Sequence, residues 1–209
     1  METKHTMTGV AIALVLGLAI GGVGGYAAGN MNMTDTDTKN DSSAQSMAEN
    51  KEGTMVGGAL MVKDKDIVDN ALNAKNVTTT VSLVQKAGLV DTLKSEGPFT
   101  VFAPNNDAFS KLPAETVASL QKEENVGTLK NILTYHVVPG TYTSAALKVM
   151  AQKGESLTTV QGEMLMPVLD GGKVYIQDAM GNKSAIETTD VISSNGVTHV
   201  VQSVLMPKS

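Results

Sequence analysis

Histidine is the side chain best suited to move protons or hold a metal near neutral pH, and beyond residue 50 the sequence has two, His136 and His199. A first-row metal site wants three or four ligands with supporting hydrogen bonds, and no histidine pair stands at helical or hairpin spacing. Asp35, Asp37 and Asp41 recur in a polar stretch that lacks the glycine and closing glutamate of a calcium loop. A serine nucleophile would need a strained Gly-x-Ser-x-Gly turn or an equivalent adjacent base, and no such turn occurs. Glu123-Glu124 falls in a solvated loop or helix end, where nothing raises a carboxyl pKa for acid catalysis. Glycine-rich, lysine-terminated phosphate loops are missing as well. The sequence has no cysteine, which excludes disulfides, thiolate ligands and a thiol nucleophile. The residues therefore predict no enzyme, no catalytic residue, no metal and no cofactor.

Composition narrows the partners. All sixteen basic residues are lysine and the net charge is −5. Arginine's planar fork is the preferred reader of phosphates and bases, so its absence speaks against nucleic acid. Tryptophan is absent too, and three Phe with four Tyr leave few stacking platforms.

Three regions differ in character. Residues 1–29 form a hydrophobic N-terminal segment: from Met7 to Gly29 nothing is charged, and as a helix those 23 residues would span about 35 Å. Lys4 precedes it and Ala27-Ala28-Gly29 ends it, which fits a cleaved signal peptide or a retained transmembrane anchor. Gly17, Gly21, Gly25 and Gly29 recur every four residues, a stripe that would let two membrane helices approach closely. Residues 30–55 hold almost nothing apolar except methionine and are expected to be a disordered polar linker. Residues 56–208 have the apolar density of one folded domain.

Within that domain the pattern starts helical and ends in strands. Helices are expected after Asp66, over Ile67 to Leu72, and after Thr78-Thr79-Thr80, with Thr78 as cap. A short amphipathic turn runs from Leu89 to Leu93, and Gly97-Pro98 breaks the chain before a strand, Phe99-Thr100-Val101-Phe102-Ala103, stopped by Pro104. Asn105 or Asn106 caps a turn holding Asp107, Ala108 and Phe109; helices follow Pro113 and cover 126–133. From 135 onward the period becomes two, with strands at 135–138, 157–160, 164–169, 173–176, 185–189 and 197–201. Helices first and a strand meander later is an α+β pattern.

Three segments carry a family resemblance. Gly97-Pro98-Phe99-Thr100-Val101-Phe102-Ala103-Pro104-Asn105-Asn106-Asp107-Ala108-Phe109 resembles the first signature box of fasciclin-like domains, with Phe99, Thr100, Phe102, Ala103, Pro104, Asn106 and Phe109 as its structural signature. Tyr135-His136-Val137-Val138-Pro139-Gly140 is similar to the family's tyrosine-histidine segment. Asn195-Gly196-Val197-Thr198-His199-Val200-Val201, running on to Val204-Leu205-Met206-Pro207, resembles the second box. The resemblance covers 56–208 and implies a twisted β-sandwich or wedge with flanking α-helices. It implies that His136 ties neighbouring backbone together, and links Tyr135 and His136 to partner recognition. An aspartate before the second box has the same implied role, and Asp190-Val191 stands there, with valine where the family has isoleucine. Gln202 stands where the family often has aspartate.

The function implied is adhesion. The expected protein is an exported, secreted or periplasmic, or membrane-tethered module that binds a cell-surface or matrix protein or a polysaccharide. The rival expectation is a structural matrix or biofilm protein that self-associates weakly or binds polysaccharide, and an envelope enzyme is the remote alternative. Asn76-Val77-Thr78 and Asn182-Lys183-Ser184 fit the glycan-acceptor pattern, which matters only in a eukaryotic secretory pathway.

Overall fold

The structure, a computed structural model, describes residues 52–208. The hydrophobic N-terminal segment, its glycine stripe and nearly all of the expected linker lie outside the described residues. Among the described residues no helix is long and apolar enough to cross a membrane.

Structure begins three residues before the expected boundary. Strands β1 (Gly53–Val56) and β2 (Ala59–Val62) form an antiparallel hairpin. Its turn, Gly57-Gly58, has positive φ at both residues (56° and 82°), the backbone of the tight hairpin turns that only glycine adopts without cost. Helix α1 (Ile67–Ala71) is capped by Asp66, whose carboxylate accepts the Asp69 N–H at 2.7 Å. Helix α2 (Thr78–Lys86) corrects the expected cap: no side chain of its own N-terminus does this work. Asn106, far along the chain, accepts the Thr79 N–H at 3.1 Å and donates to the Lys75 carbonyl at 2.9 Å. Helix α3 (Val90–Lys94) precedes strand β3 (Phe99–Pro104). Asn105 then caps α4 (Asn106–Ser110) by accepting the Ala108 N–H at 2.8 Å. Helices α5 (Ala114–Leu120) and α6 (Val126–Tyr135) complete the helical layer.

Beyond α6 come β4 (Val137–Pro139), α7 (Ser144–Lys153), β5 (Leu157–Thr158), β6 (Met164–Asp170), β7 (Lys173–Gln177), β8 (Lys183–Ser193) and β9 (Gly196–Val201). The expected strand at 135–138 is corrected at its start, because Tyr135 is the last residue of α6 and His136 caps it. Helix α7 interrupts the expected run of strands. Thr143 caps its start, Gly154 closes it in the left-handed conformation (φ 69°), and Leu147 is its one fully buried anchor.

Seven strands share one sheet in the order β4-β3-β9-β8-β7-β6-β5. The β3–β9 pair is parallel and the other pairs are antiparallel. The Val160 N–H donates to the Val137 carbonyl at 2.8 Å, so the chain leaving β5 returns to β4 and the sheet curls into a wedge close to a barrel. Apolar side chains fill both of its sides. Val101, Ala103 and Val200 join the helices in one cluster; Phe102, Val201, Leu165, Ile176 and Leu147 form the second. Alternation along β3 sends neighbours to opposite sides, and all six residues of β9 are buried.

The two signature boxes meet where β3 lies beside β9. The contact tolerates only glycine, for a Cβ at Gly97 would stand 2.0 Å from the Asn195 carbonyl oxygen and one at Gly196 would stand 2.0 Å from that of Phe99.

Candidate functional site

His136 ends α6, where the last carbonyls of a helix lack partners. Its Nδ1 is 2.8 Å from the Ile132 carbonyl and its Nε2 is 3.0 Å from the Leu205 N–H. Since a carbonyl only accepts and an N–H only donates, Nδ1 carries the proton and Nε2 is the acceptor. The ring staples the helix end to the segment after β9. Burial disfavours its charged form and lowers its pKa from 6.5 to about 4. Next to it, the Tyr135 hydroxyl donates to the Met164 carbonyl (3.0 Å) and accepts the Ala179 N–H (2.8 Å), joining β6 to the turn after β7. Burial raises this phenol to about 12.

His199 is likewise fully occupied. Its Nε2 donates to the Tyr142 carbonyl at 2.8 Å, its Nδ1 accepts the Asp190 N–H at 3.4 Å, and its ring stacks on Phe102 with centroids 5.6 Å apart. Burial lowers its pKa too. Asp190 sits on an irregularity of β8 with φ of 57°, a conformation aspartate tolerates better than most residues. There its carboxylate faces the start of α7, accepting the Ser144 N–H at 2.7 Å and the Ser144 hydroxyl. Burial pushes this carboxyl up, but the Ser144 hydrogen bonds outweigh it and hold it below the usual carboxylate range.

The structure places the expected recognition residues inside the fold or against α7. Tyr135 (0 % exposed), His136 (3 %) and Val191 (1 %) present no surface to a partner, and the carboxylate of half-buried Asp190 is engaged by α7. The first-box residues also face inward. Thr100 donates to the Gly140 carbonyl and accepts the Tyr142 N–H, the Pro104 carbonyl accepts the Thr80 hydroxyl, and Phe102, Ala103 and Phe109 are core. Phe99 packs half-buried against the helix-side cluster. Neither histidine has a free ring nitrogen to offer a substrate. Among the described residues no three His, Cys, Asp or Glu side chains gather as metal ligands.

These groups make the fold pH-dependent with a definite sign. Above pH 6.5 both histidines are neutral whether the chain is folded or not. Between 6.5 and about 4 the unfolded chain takes up a proton that His136 in the fold refuses, so stability falls with acid. A gap of that size corresponds to about 3 kcal/mol for His136 at pH 4, and His199 adds to it with the same sign. Urea unfolding at pH 7, 5.5 and 4 is expected to show this loss. A stability that stays level down to pH 4 would contradict the assignment.

The surface offers different chemistry. Met164 (60 % exposed), Met166 (45 %) and Met180 (60 %) are large and apolar yet stand in solvent. Met164 and Met166 line an open depression of about 910 Å³ together with Glu163, Gln177, Ala179 and Lys208. The sequence signal was Met164-Leu165-Met166 in an alternating strand, which predicts that both methionines share a face but not which face is buried. A second open depression, about 710 Å³, is lined by Lys94, Glu96, Thr141, Ser194 and Asn195 among others; there Lys94 is paired with Asp66 and Asp69.

Comparison with known proteins agrees with this architecture. The fasciclin domain family model matches residues 75–207. Protein sll1483 of Synechocystis sp. is 42% identical over 161 residues, 77% of this chain and 84% of that one. Immunogenic protein MPB70 of Mycobacterium bovis is 37% identical over 151 residues, 70% of this chain and 71% of that one. Transforming growth factor-beta-induced protein ig-h3 of Sus scrofa is 35% identical over 127 residues, 61% of this chain but 17% of that longer protein. The solved FAS1 domain pair from the insect cell adhesion molecule Fasciclin I matches with a TM-score of 0.64 over 70% of this chain and 52% of that one, at 20% identity, a likeness of fold. With both boxes interlocked in one curled sheet and a family model spanning nearly all of it, the chain belongs to the fasciclin domain family.

Proposed function

We propose that this chain is an adhesion module working outside the cytoplasm, secreted, periplasmic or held at the membrane by residues 1–29, and that its fasciclin domain binds a cell-surface or matrix macromolecule without catalysis. The observation that carries the reading is a division of labour. Tyr135, His136, His199 and Asp190 are engaged inside the fold, whereas Met164 and Met166 stand exposed along one depression and Met180 stands exposed in the turn whose Ala179 and Gly181 line it. Methionine is flexible and polarizable and suits adaptable contact surfaces. Exposed apolar side chains gathered in one place mark interaction sites. A relative of the same fold is a cell adhesion molecule.

The test is saturable retention of the full-length protein on cells, matrix protein or polysaccharide from its own environment. Changing Met164→Glu together with Met166→Glu is expected to lower affinity at least tenfold, about 1.4 kcal/mol, with Tm unchanged because both side chains are exposed. Retention that survives the double change would contradict the proposed surface. Concentration-dependent self-association lost in the same variant would favour the matrix reading instead.

A further inference from the structure

Cysteine is absent from the sequence, and both His136 and His199 have their two ring nitrogens bonded inside the fold. The soft donor atoms at the described surface are thioether sulfurs. Strand β6 sets Met164 and Met166 two residues apart, so both point to the exposed face while Leu165 and Pro167 are buried behind them. Their Cα atoms are then about 6.6 Å apart, a gap that two unbranched side chains with three rotatable bonds can close around one ion. Met166 pairs with Gln177 across the ladder. The Tyr135 hydroxyl, bonded to both the Met164 carbonyl and the Ala179 N–H, brings Ala179 close to Met164. Met180, the next residue, is exposed in the same turn. The Ser156 hydroxyl donates to the Met164 sulfur at 3.2 Å, which orients that thioether at the wall of the depression.

We infer that Met164, Met166 and Met180 form a surface site for a soft monovalent cation, with copper(I) or silver(I) as the ion class. Thioethers are neutral, polarizable donors that select such ions and are poor ligands for magnesium or calcium. The Glu163 carboxylate at the rim accepts the Lys208 N–H at 2.8 Å, and the Asp178 carboxylate is occupied by the N–H groups of Met180, Asn182 and Met206. The Met164 and Met166 thioethers are the soft donors in the lining of the depression. The site overlaps the proposed adhesion surface, but the silver titration reads it without reference to adhesion, and leucine deletes the donor while keeping apolar volume.

The experiment is a silver nitrate titration, in chloride-free buffer, of full-length protein labelled with carbon-13 at the methionine methyls. The expected result is that the Met164, Met166 and Met180 signals shift together and saturate at one ion. The double variant Met164→Leu/Met166→Leu should bind silver at least tenfold more weakly, at an unchanged Tm. Three stationary signals would overturn the site, and so would a leucine variant that binds silver as tightly as the unaltered chain. Failure of the adhesion reading would leave the titration untouched.

Discussion

Gly196→Ala is expected to cost at least about 4 kcal/mol and to leave little folded protein at 37 °C. A Cβ at Gly196 would lie 2.0 Å from the Phe99 carbonyl oxygen and 2.9 Å from the Phe99 carbonyl carbon and nitrogen. Those are backbone atoms of the neighbouring strand, so no rotamer change relieves the clash. β3 and β9 would have to separate, and their ladder, running from Phe99–Gly196 to Pro104–Val201, supports both apolar clusters. Gly127→Ala is the matched control: it lies within α6 with nothing in reach of an added Cβ, and should stabilise by about 0.5–1 kcal/mol. Thermal and urea unfolding of the two variants measures the contrast. Equal stability of the two would contradict the interlock of the boxes.

His136→Leu is expected to lower the unfolding free energy by about 4 kcal/mol, or roughly 10 °C in Tm for a domain of this size. Leucine fills much of the ring's space, so the loss comes from hydrogen bonding. The Ile132 carbonyl and the Leu205 N–H lose their ring partners in a buried setting, and each unpaired group costs about 1–3 kcal/mol. The same variant should lose the His136 share of the acid dependence between pH 6.5 and 4, because the group that refuses the proton is gone. A Tm within a degree or two of the unaltered protein would show that water replaces the ring, and would contradict its role as a staple.

The first box was legible because its signals are local: β-branched and aromatic residues over Phe99–Pro104, proline to stop them, and asparagine to cap helix α4. The α+β order and the glycine-bounded strands were legible for the same reason. Harder features depend on distant partners. Thr78 carried a capping signature, yet the hydrogen bond that closes α2 comes from Asn106, which no local window contains. Tyr135 and His136 read as strand because Val137 and Val138 come directly after them, but Leu129, Ile132 and Leu133 extend the helical stripe up to Tyr135. Helix α7 buries only Leu147 fully, so its apolar stripe is faint and only Thr143 and Gly154 mark its ends. The inward aim of Val191 and the engagement of Asp190 by Ser144 arise from an irregularity in β8, and a pattern of period two carries no sign of it. Exposure of Met164 and Met166 is hidden similarly, since methionine is apolar and alternation leaves the outward face unnamed.

The central claim is that the residues resembling the family's recognition motif hold the fold together while the methionine face meets the partner. It is tested most directly by placing Tyr135→Phe beside Met164→Glu/Met166→Glu in one assay of adhesive retention and Tm. Tyr135→Phe removes the hydroxyl that joins the Met164 carbonyl to the Ala179 N–H, so its Tm should fall while the folded fraction adheres normally. The double glutamate variant should keep its Tm and lose adhesion. The reverse pattern, adhesion lost with the tyrosine hydroxyl and kept without the methionines, would contradict the account.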